Sequence, residues 1–219
     1  MTELETIARW VAQGARVLDL GCGDGRLLRR LWQTKQAPGY GVEIADAHVL
    51  GCIRNDVNVL QMDLEDGLAA FADKSFDVVI LSETLQAIHR QEYLLREMLR
   101  VGREAIVSFP NFGYWRARIQ IAIAGRMPVS KELPYQWYDT PNVHHCTLVD
   151  FEALCGKLGF SILERVVLTE GATVSTLPNL LGALALYRVT SPASTNPLTV
   201  PPQAPHQHRQ QDQRRQPQG

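Results

Sequence analysis

The chain has little of what marks a secreted, membrane-spanning or metal-bound protein. Its 219 residues hold four cysteines, at positions 22, 52, 146 and 155. None pair as C-x-x-C, so neither a zinc site nor a disulfide framework is expected. No 18-residue apolar run occurs, and the opening Met1-Thr2-Glu3-Leu4-Glu5 has no basic segment followed by an apolar one. A cytoplasmic chain without a membrane partner is the expectation. Charge excess is missing too, with 22 Lys and Arg against 23 Asp and Glu. Three of those arginines (209, 214, 215) and Asp212 lie past residue 190, so the remainder carries a net −3 and no basic patch that would suit nucleic acid. Also missing is the pentapeptide G-x-S-x-G, the nucleophile elbow of hydrolase-type acyltransferases.

What is present is enough apolar residue, 45% of the chain, for one full α/β core. The most informative stretch is Val17-Leu18-Asp19-Leu20-Gly21-Cys22-Gly23-Asp24-Gly25, followed by the helical run Arg26 to Leu31. An apolar strand that enters alternating glycines and then a helix is a nucleotide-binding turn, because glycine lets backbone N–H groups approach a ligand at a helix N-terminus. A dinucleotide fingerprint requires G-x-G-x-x-G. Here the third glycine comes one residue early and Arg26 stands in its place, which weakens the NAD reading.

Acids then follow successive apolar segments. Glu43 ends Tyr40-Gly41-Val42, about twenty residues past the turn, where a carboxylate can accept hydrogen bonds from two ribose hydroxyls. Asp63 follows Val59-Leu60-Gln61-Met62, and Ser82 and Glu83 follow Phe76 to Leu81. Each acid alone reads first as a helix N-cap or turn residue, the commoner fate of a strand-end Asp or Glu. Converging on one crevice, the set points to a ligand. Cys22, inside the turn, reads as a small side chain packed beneath that ligand, with a reactive thiol as the alternative.

Strands are expected at 16–20, 40–44, 57–62, 76–81 and 104–109, with a helix from Gln91 to Val101 whose Leu94, Leu95, Met98 and Leu99 face the sheet. This alternation implies a mostly parallel, doubly wound sheet. Leu4, Ile7, Ala8 and Val11 predict a lead-in helix closed by Gly14 and covering the sheet edge. Thr147-Leu148-Val149-Asp150 resembles a capping box, with Gly159 as the stop and Phe151, Leu154 and Leu158 as the buried stripe. Strands 160–168 and 184–189 would close the sheet as an antiparallel edge pair. Between them and the parallel part, residues 110–146 form an insertion rich in aromatics. Beyond Ser191 the Pro, Gln, Arg and His composition is that of a disordered tail, in which His206 and His208 read as solvated side chains. One domain over 1–190 and a tail over 191–219 are expected.

The pattern Asp19-x-Gly21-x-Gly23-x-Gly25 resembles the first motif of class I S-adenosylmethionine (SAM)-dependent methyltransferases. Three longer stretches, Leu81 to Ala87, Ser108 to Arg116, and Gly125 to Asn142, resemble the MetW family of methionine-biosynthesis proteins over roughly residues 4–190. The resemblance implies a Rossmann-like α/β fold with a mostly parallel seven-stranded sheet and helices on both faces. It implies SAM or S-adenosylhomocysteine (SAH) held by Asp19, Gly21, Cys22, Gly23, Glu43, Ile44, Met62, Asp63, Leu64 and Ser82. Within that set Asp63 and the Leu64 N–H would meet the adenine, and Ser82 the methionine end. It further implies a protein partner, a homoserine O-acyltransferase forming O-succinyl- or O-acetylhomoserine. Glu83 and His89 depart from the family's usual residues.

Three functions stay open on sequence. One is an accessory subunit that contacts the acyltransferase through Trp115, Arg116, Tyr135, Trp137 and Tyr138, residue types that dominate interfaces but also pack as core. Another is a methyltransferase for a small molecule, with Glu83, His89, His144 or His145 as a base. The last is a scaffold that has lost its cofactor. No catalytic residue is assigned.

Overall fold

The computed structural model describes residues 1–191, so the expected tail with His206 and His208 lies outside the described residues. β1 (Val17–Leu20) and β4 (Phe76–Leu81) carry apolar residues on both faces, interrupted by Asp19 and Asp77, and are almost wholly buried, as central parallel strands must be. They are flanked by β2 (Gly39–Glu43), β3 (Val59–Gln61) and β5 (Gly102–Pro110). With β6 (Ser161–Thr169), β7 (Ala172–Thr173) and β8 (Leu184–Thr190) they make one sheet ordered β3-β2-β1-β4-β5-β8-β6-β7. β1 to β5 run parallel, and β8 lies antiparallel between β5 and β6.

The helices are α1 (Glu3–Trp10), α2 (Arg26–Lys35), α3 (Asp46–Arg54), α4 (Gln91–Val101), α5 (Trp115–Ala124), α6 (Leu148–Leu158) and α7 (Pro178–Leu181). Two apolar cores separate them. On one face Leu18, Leu20, Val79 and Leu81 pack with Leu94, Leu95, Met98 and Leu99 of α4 and Phe151 of α6. On the other, Val17, Val78, Ile80 and Ile106 pack with Ile7 and Trp10 of α1 and Leu27, Leu28 and Leu31 of α2. α6 starts on the expected box, Thr147 accepting from the Asp150 N–H and Asp150 from the Thr147 N–H, and ends at Gly159.

Three expectations need correction. The sheet has eight strands, not seven, because Glu170 and Gly171, both at positive φ, turn the chain back into β7; two such residues make a type I′ hairpin, which Glu-Gly does not advertise as Asn-Gly would. The lead-in helix stops at Trp10, before Gly14, and covers a sheet face rather than an edge. Its Trp10 indole donates to Glu164 at 2.6 Å, which ties α1 to β6. The third strand is shorter than 57–62, since Val57 N–H instead closes α3 on Cys52 and only Val59–Gln61 pairs with β2.

α5 mixes apolar residues with Arg116, Arg118 and Gln120 without a single apolar face, and only its Ala117 is buried. Ile123 is 81% exposed, and Trp137 and Tyr138, further along the insertion, are 71% and 70% exposed. The insertion therefore presents its apolar side chains to solvent. Among the described residues no helix is long and apolar enough to cross a membrane.

Candidate functional site: a cleft at the sheet switch point

The strand order reverses between β1 and β4, and a crevice opens at their carboxyl ends, where doubly wound sheets bind ligands. Its floor is the glycine turn. Gly21 (φ +70°) and Cys22 donate to the Val42 carbonyl at 2.8 and 3.1 Å, which fastens the turn to β2. A Cβ on Gly21 would lie 2.6 Å from Thr84 Oγ1, so the position is closed to any side chain. Above Gly23 a Cβ would meet nothing within 4 Å; that space is the cleft.

Two lobes meet at Gly21, Gly23 and His48. The larger, about 530 Å³, is lined by Glu43, Ile44, Met62, Asp63, Leu64 and Pro141, among others. The smaller, about 440 Å³, is lined by Glu3, Asp19, Cys22, Arg26 and Ser82 with the same glycines. Every residue expected at the cofactor site from sequence thus borders one of the two lobes.

The Glu43 carboxylate is oriented by backbone amides, accepting from Gly23 (2.9 Å), Ile44 (2.9 Å) and Ala45 (3.0 Å), with His48 Nδ1 3.6 Å away. Asp63 caps the short 3-10 turn Leu64–Asp66 through the Glu65 N–H; here the N-cap role and the cleft position coexist. Asp19 differs from both. It is 2% exposed, and burial, with the Glu3 and Glu43 charges nearby, pushes its carboxyl up to about 8. No hydrogen bond or cation offsets that cost among the described residues, so a positively charged ligand group beside this carboxyl would favour its ionised form.

Sequence reasoning missed Glu3, Thr84, Ser108, His48 and Pro141. Glu3, in the first turn of α1, accepts from Ser82 Oγ at 2.7 Å and from Ser108 Oγ. Ser108 Oγ in turn accepts from the Glu83 N–H at 2.9 Å. Only Ser108 carried a signal, since it stands near the end of a strand that neighbours β4. Glu83 adopts φ +48°, and partial desolvation, then the Glu3 and Glu132 charges, push its carboxyl up to about 7. Glu83 is itself an exposed residue, set between Ser82 and Thr84, which line the two lobes.

The histidines separate. His89 borders the larger lobe and lies 3.4 Å from Glu65, whereas His144 and His145 line neither lobe. His145 stacks on Phe112, centroids 4.8 Å apart, and burial lowers its pKa. Cys22 Sγ sits 3.7 Å from Cys52 Sγ and beneath Gly41, whose Cβ would come within 2.3 Å of it. Burial raises the Cys22 thiol well above its ordinary range, so packing, not thiolate chemistry, is its evident role. The insertion reaches the cleft as well. Gln86, in the 3-10 turn Leu85–Ala87, accepts from Val143 N–H (2.8 Å) and His144 N–H (3.0 Å), beside Pro141 in the larger lobe.

A glycine turn after β1 and strand-end acids around a switch-point cleft define the class I SAM-dependent methyltransferase fold. Solved structures agree. A chain of the complex between the Haloferax volcanii Trm112 methyltransferase activator and a methyltransferase superposes with a TM-score of 0.64, at 16% identity, over 88% of this chain and 89% of that one. A Thermotoga maritima SAM-dependent methyltransferase, described as a possible histamine N-methyltransferase, gives 0.63 at 20% identity over 87% of each chain. The [4+2]-cyclase SpnF gives 0.62 at 18% identity, over 86% of this chain and 80% of its own. Within that fold class the chain belongs to the family of methionine biosynthesis protein MetW, whose model matches residues 1–189. A curated relative, the bifunctional methionine biosynthesis protein MetXA/MetW of Rhodopirellula baltica, is 42% identical over 171 residues, 74% of this chain. The chain spans 27% of that relative's length.

Proposed function

We propose that this chain is an accessory subunit of methionine biosynthesis in the cytoplasm, binding SAM or SAH in the cleft and engaging a homoserine O-acyltransferase through its insertion. The observation that carries the partner is the relative in which a MetXA portion and a MetW portion share one polypeptide. Fusion sets the effective concentration of two functions that work together. The missing G-x-S-x-G leaves the acyl transfer to the partner.

The donor set of the cleft suits the cofactor. Asp19 would take the α-ammonium group, the amides of the glycine turn and Arg26 the α-carboxylate. Glu43 would take the ribose hydroxyls, Asp63 and the Leu64 N–H the adenine, and Ser82, with Ile44, Met62 and Cys22, would complete the walls. When bound, SAM supplies an electrophilic methyl group. On the outer side, α5, Trp115, Tyr135, Trp137 and Tyr138 offer the exposed apolar and aromatic surface that a partner would cover. Arg116 lies against Trp115, 5.5 Å from the ring centroid, and pairs with Glu170 at 3.2 Å.

Methyl transfer to a small molecule is the second reading, favoured by Glu83. A left-handed non-glycine backbone between Ser82 and Thr84, which border the cleft, with a carboxyl pushed up to about 7, is suited to take a proton from an acceptor. The [4+2]-cyclase shows that the fold does not dictate the reaction. Co-expression with the acyltransferase tests the first reading: a partner equally soluble and active without this chain rules it out. SAM turnover in cell extract supplemented with the purified protein tests the second.

A further inference from the structure

The smaller lobe holds more carboxyl groups than an amino-acid end requires. Asp19 alone is enough to meet an α-ammonium group, yet Glu3 enters the same lobe from α1, and Glu83 stands close enough that the Glu3 charge raises its pKa. Glu3 is not there to start its helix. Thr2 and Glu5 already form the capping box, and Glu3 turns inward instead. One of its oxygens, Oε1, accepts from two hydroxyls, Ser82 Oγ and the fully buried Ser108 Oγ. Two hydroxyl donors on a single carboxylate oxygen hold that oxygen in place. No Lys, Arg or His pairs with Glu3 among the described residues; Arg26, the basic residue of the lobe, is engaged by Asp24 at 2.9 Å. His48 faces Glu43 instead. The second, independent sign of a cationic ligand is Asp19, 98% buried by its 2% exposure and without a partner.

We propose that Glu3 is a specificity-determining residue, through which the cleft binds a ligand carrying positive charge at its centre, the sulfonium of SAM, in preference to the neutral thioether SAH. The inference rests on the cofactor reading above and gives that site a regulatory sense. A site that merely holds the shared adenosine and amino-acid ends would bind both forms. A cleft that adds Glu3 to Asp19 and Glu43, whose partners both forms share, distinguishes them by one unit of charge, in a partly desolvated lobe where Coulomb interactions are stronger than in bulk. It would thus report the charged methyl donor rather than the sum of donor and product.

Isothermal titration of the full chain with SAM, SAH and sinefungin decides this. Sinefungin carries an amine where SAM has its methylsulfonium, so it retains positive charge without a transferable methyl. SAM and sinefungin are expected to bind roughly tenfold or more tightly than SAH, the scale of one charge interaction in a partly wet cleft. Glu3→Gln keeps the shape and is expected to lose most of that preference while SAH affinity stays within about twofold. Glu5→Gln, on the same helix but in the cap, is expected to leave the preference intact. Equal binding of SAM and SAH by the unaltered protein overturns the proposal alone, as does an equal loss for all three ligands in Glu3→Gln, which marks a structural role. Failure of all three ligands to bind the unaltered protein overturns the cofactor reading itself.

Discussion

Replacing Asp19 by Asn should make the ligand-free protein more stable and its cleft useless. The folded protein holds the Asp19 proton up to about pH 8, whereas an ordinary Asp releases it near 3.8. Across that window the unfolded chain binds fewer protons, so the Asp19 contribution to stability falls as pH rises and levels off above 8. Each pH unit within it costs about 1.4 kcal/mol, which reaches about 4 kcal/mol by pH 7. Water entering the open cleft reduces this, and a gain of about 2–4 kcal/mol for Asp19→Asn at pH 7 is expected. That is a large share of a typical domain's stability of about 5–15 kcal/mol. Denaturant unfolding of both proteins from pH 4 to 8.5 measures it, and the difference between the curves matters more than either curve. Glu83 and His145 titrate in both proteins and cancel. The two should coincide near pH 4 and diverge steadily above it. Parallel curves, or an Asn variant less stable at pH 7, would refute the claim that this carboxyl is buried without compensation.

Gly21→Ala places a Cβ 2.6 Å from Thr84 Oγ1 at φ +70° and should cost roughly 1–3 kcal/mol; adding Thr84→Ala should recover the steric part only, as measured by urea unfolding. Glu43→Ala leaves the N–H groups of Gly23, Ile44 and Ala45 without their acceptor. A loss of about 1–3 kcal/mol and of all SAM binding is expected, read by calorimetry. Trp137→Ser with Tyr138→Ser should change stability by less than about 0.5 kcal/mol, since both are exposed, yet weaken capture of the acyltransferase at least tenfold in a pull-down titration. Ending the chain after Ser191 should leave the melting temperature within roughly 1 °C, because the removed segment has almost no apolar residue to bury.

How far the sequence spoke depended on whether the governing interaction was local. β4 and α4 were visible because a continuous apolar run and a 3.6-residue stripe each report burial directly, and the α6 cap because its partners lie three residues apart. Glu43 and Asp63 were visible because strand ends converge in a doubly wound sheet. Glu3 was not, since it comes to Ser82 and Ser108 across 79 and 105 residues of chain. The lead-in helix was misplaced for the same reason: its stripe showed that it packs, not on what. α5 gave no such stripe, because apolar residues mixed with Arg116, Arg118 and Gln120 point nowhere by pattern, and only the fold reveals that most of it is left uncovered.

The joint at Gln86 sets a length scale. Pro141 borders the cleft, and Tyr138, three residues earlier, faces solvent; a chain of three residues spans at most about 10 Å. Inside and outside are therefore two sides of one short ribbon, held by a single carbonyl. The cleft wall at Pro141 and the exposed rings are thus separated by sequence alone, with no element of the sheet between them. The two surfaces can also drift apart in evolution at little cost, because changing Trp137 or Tyr138 to suit a new neighbour alters no residue on which the glycine turn depends.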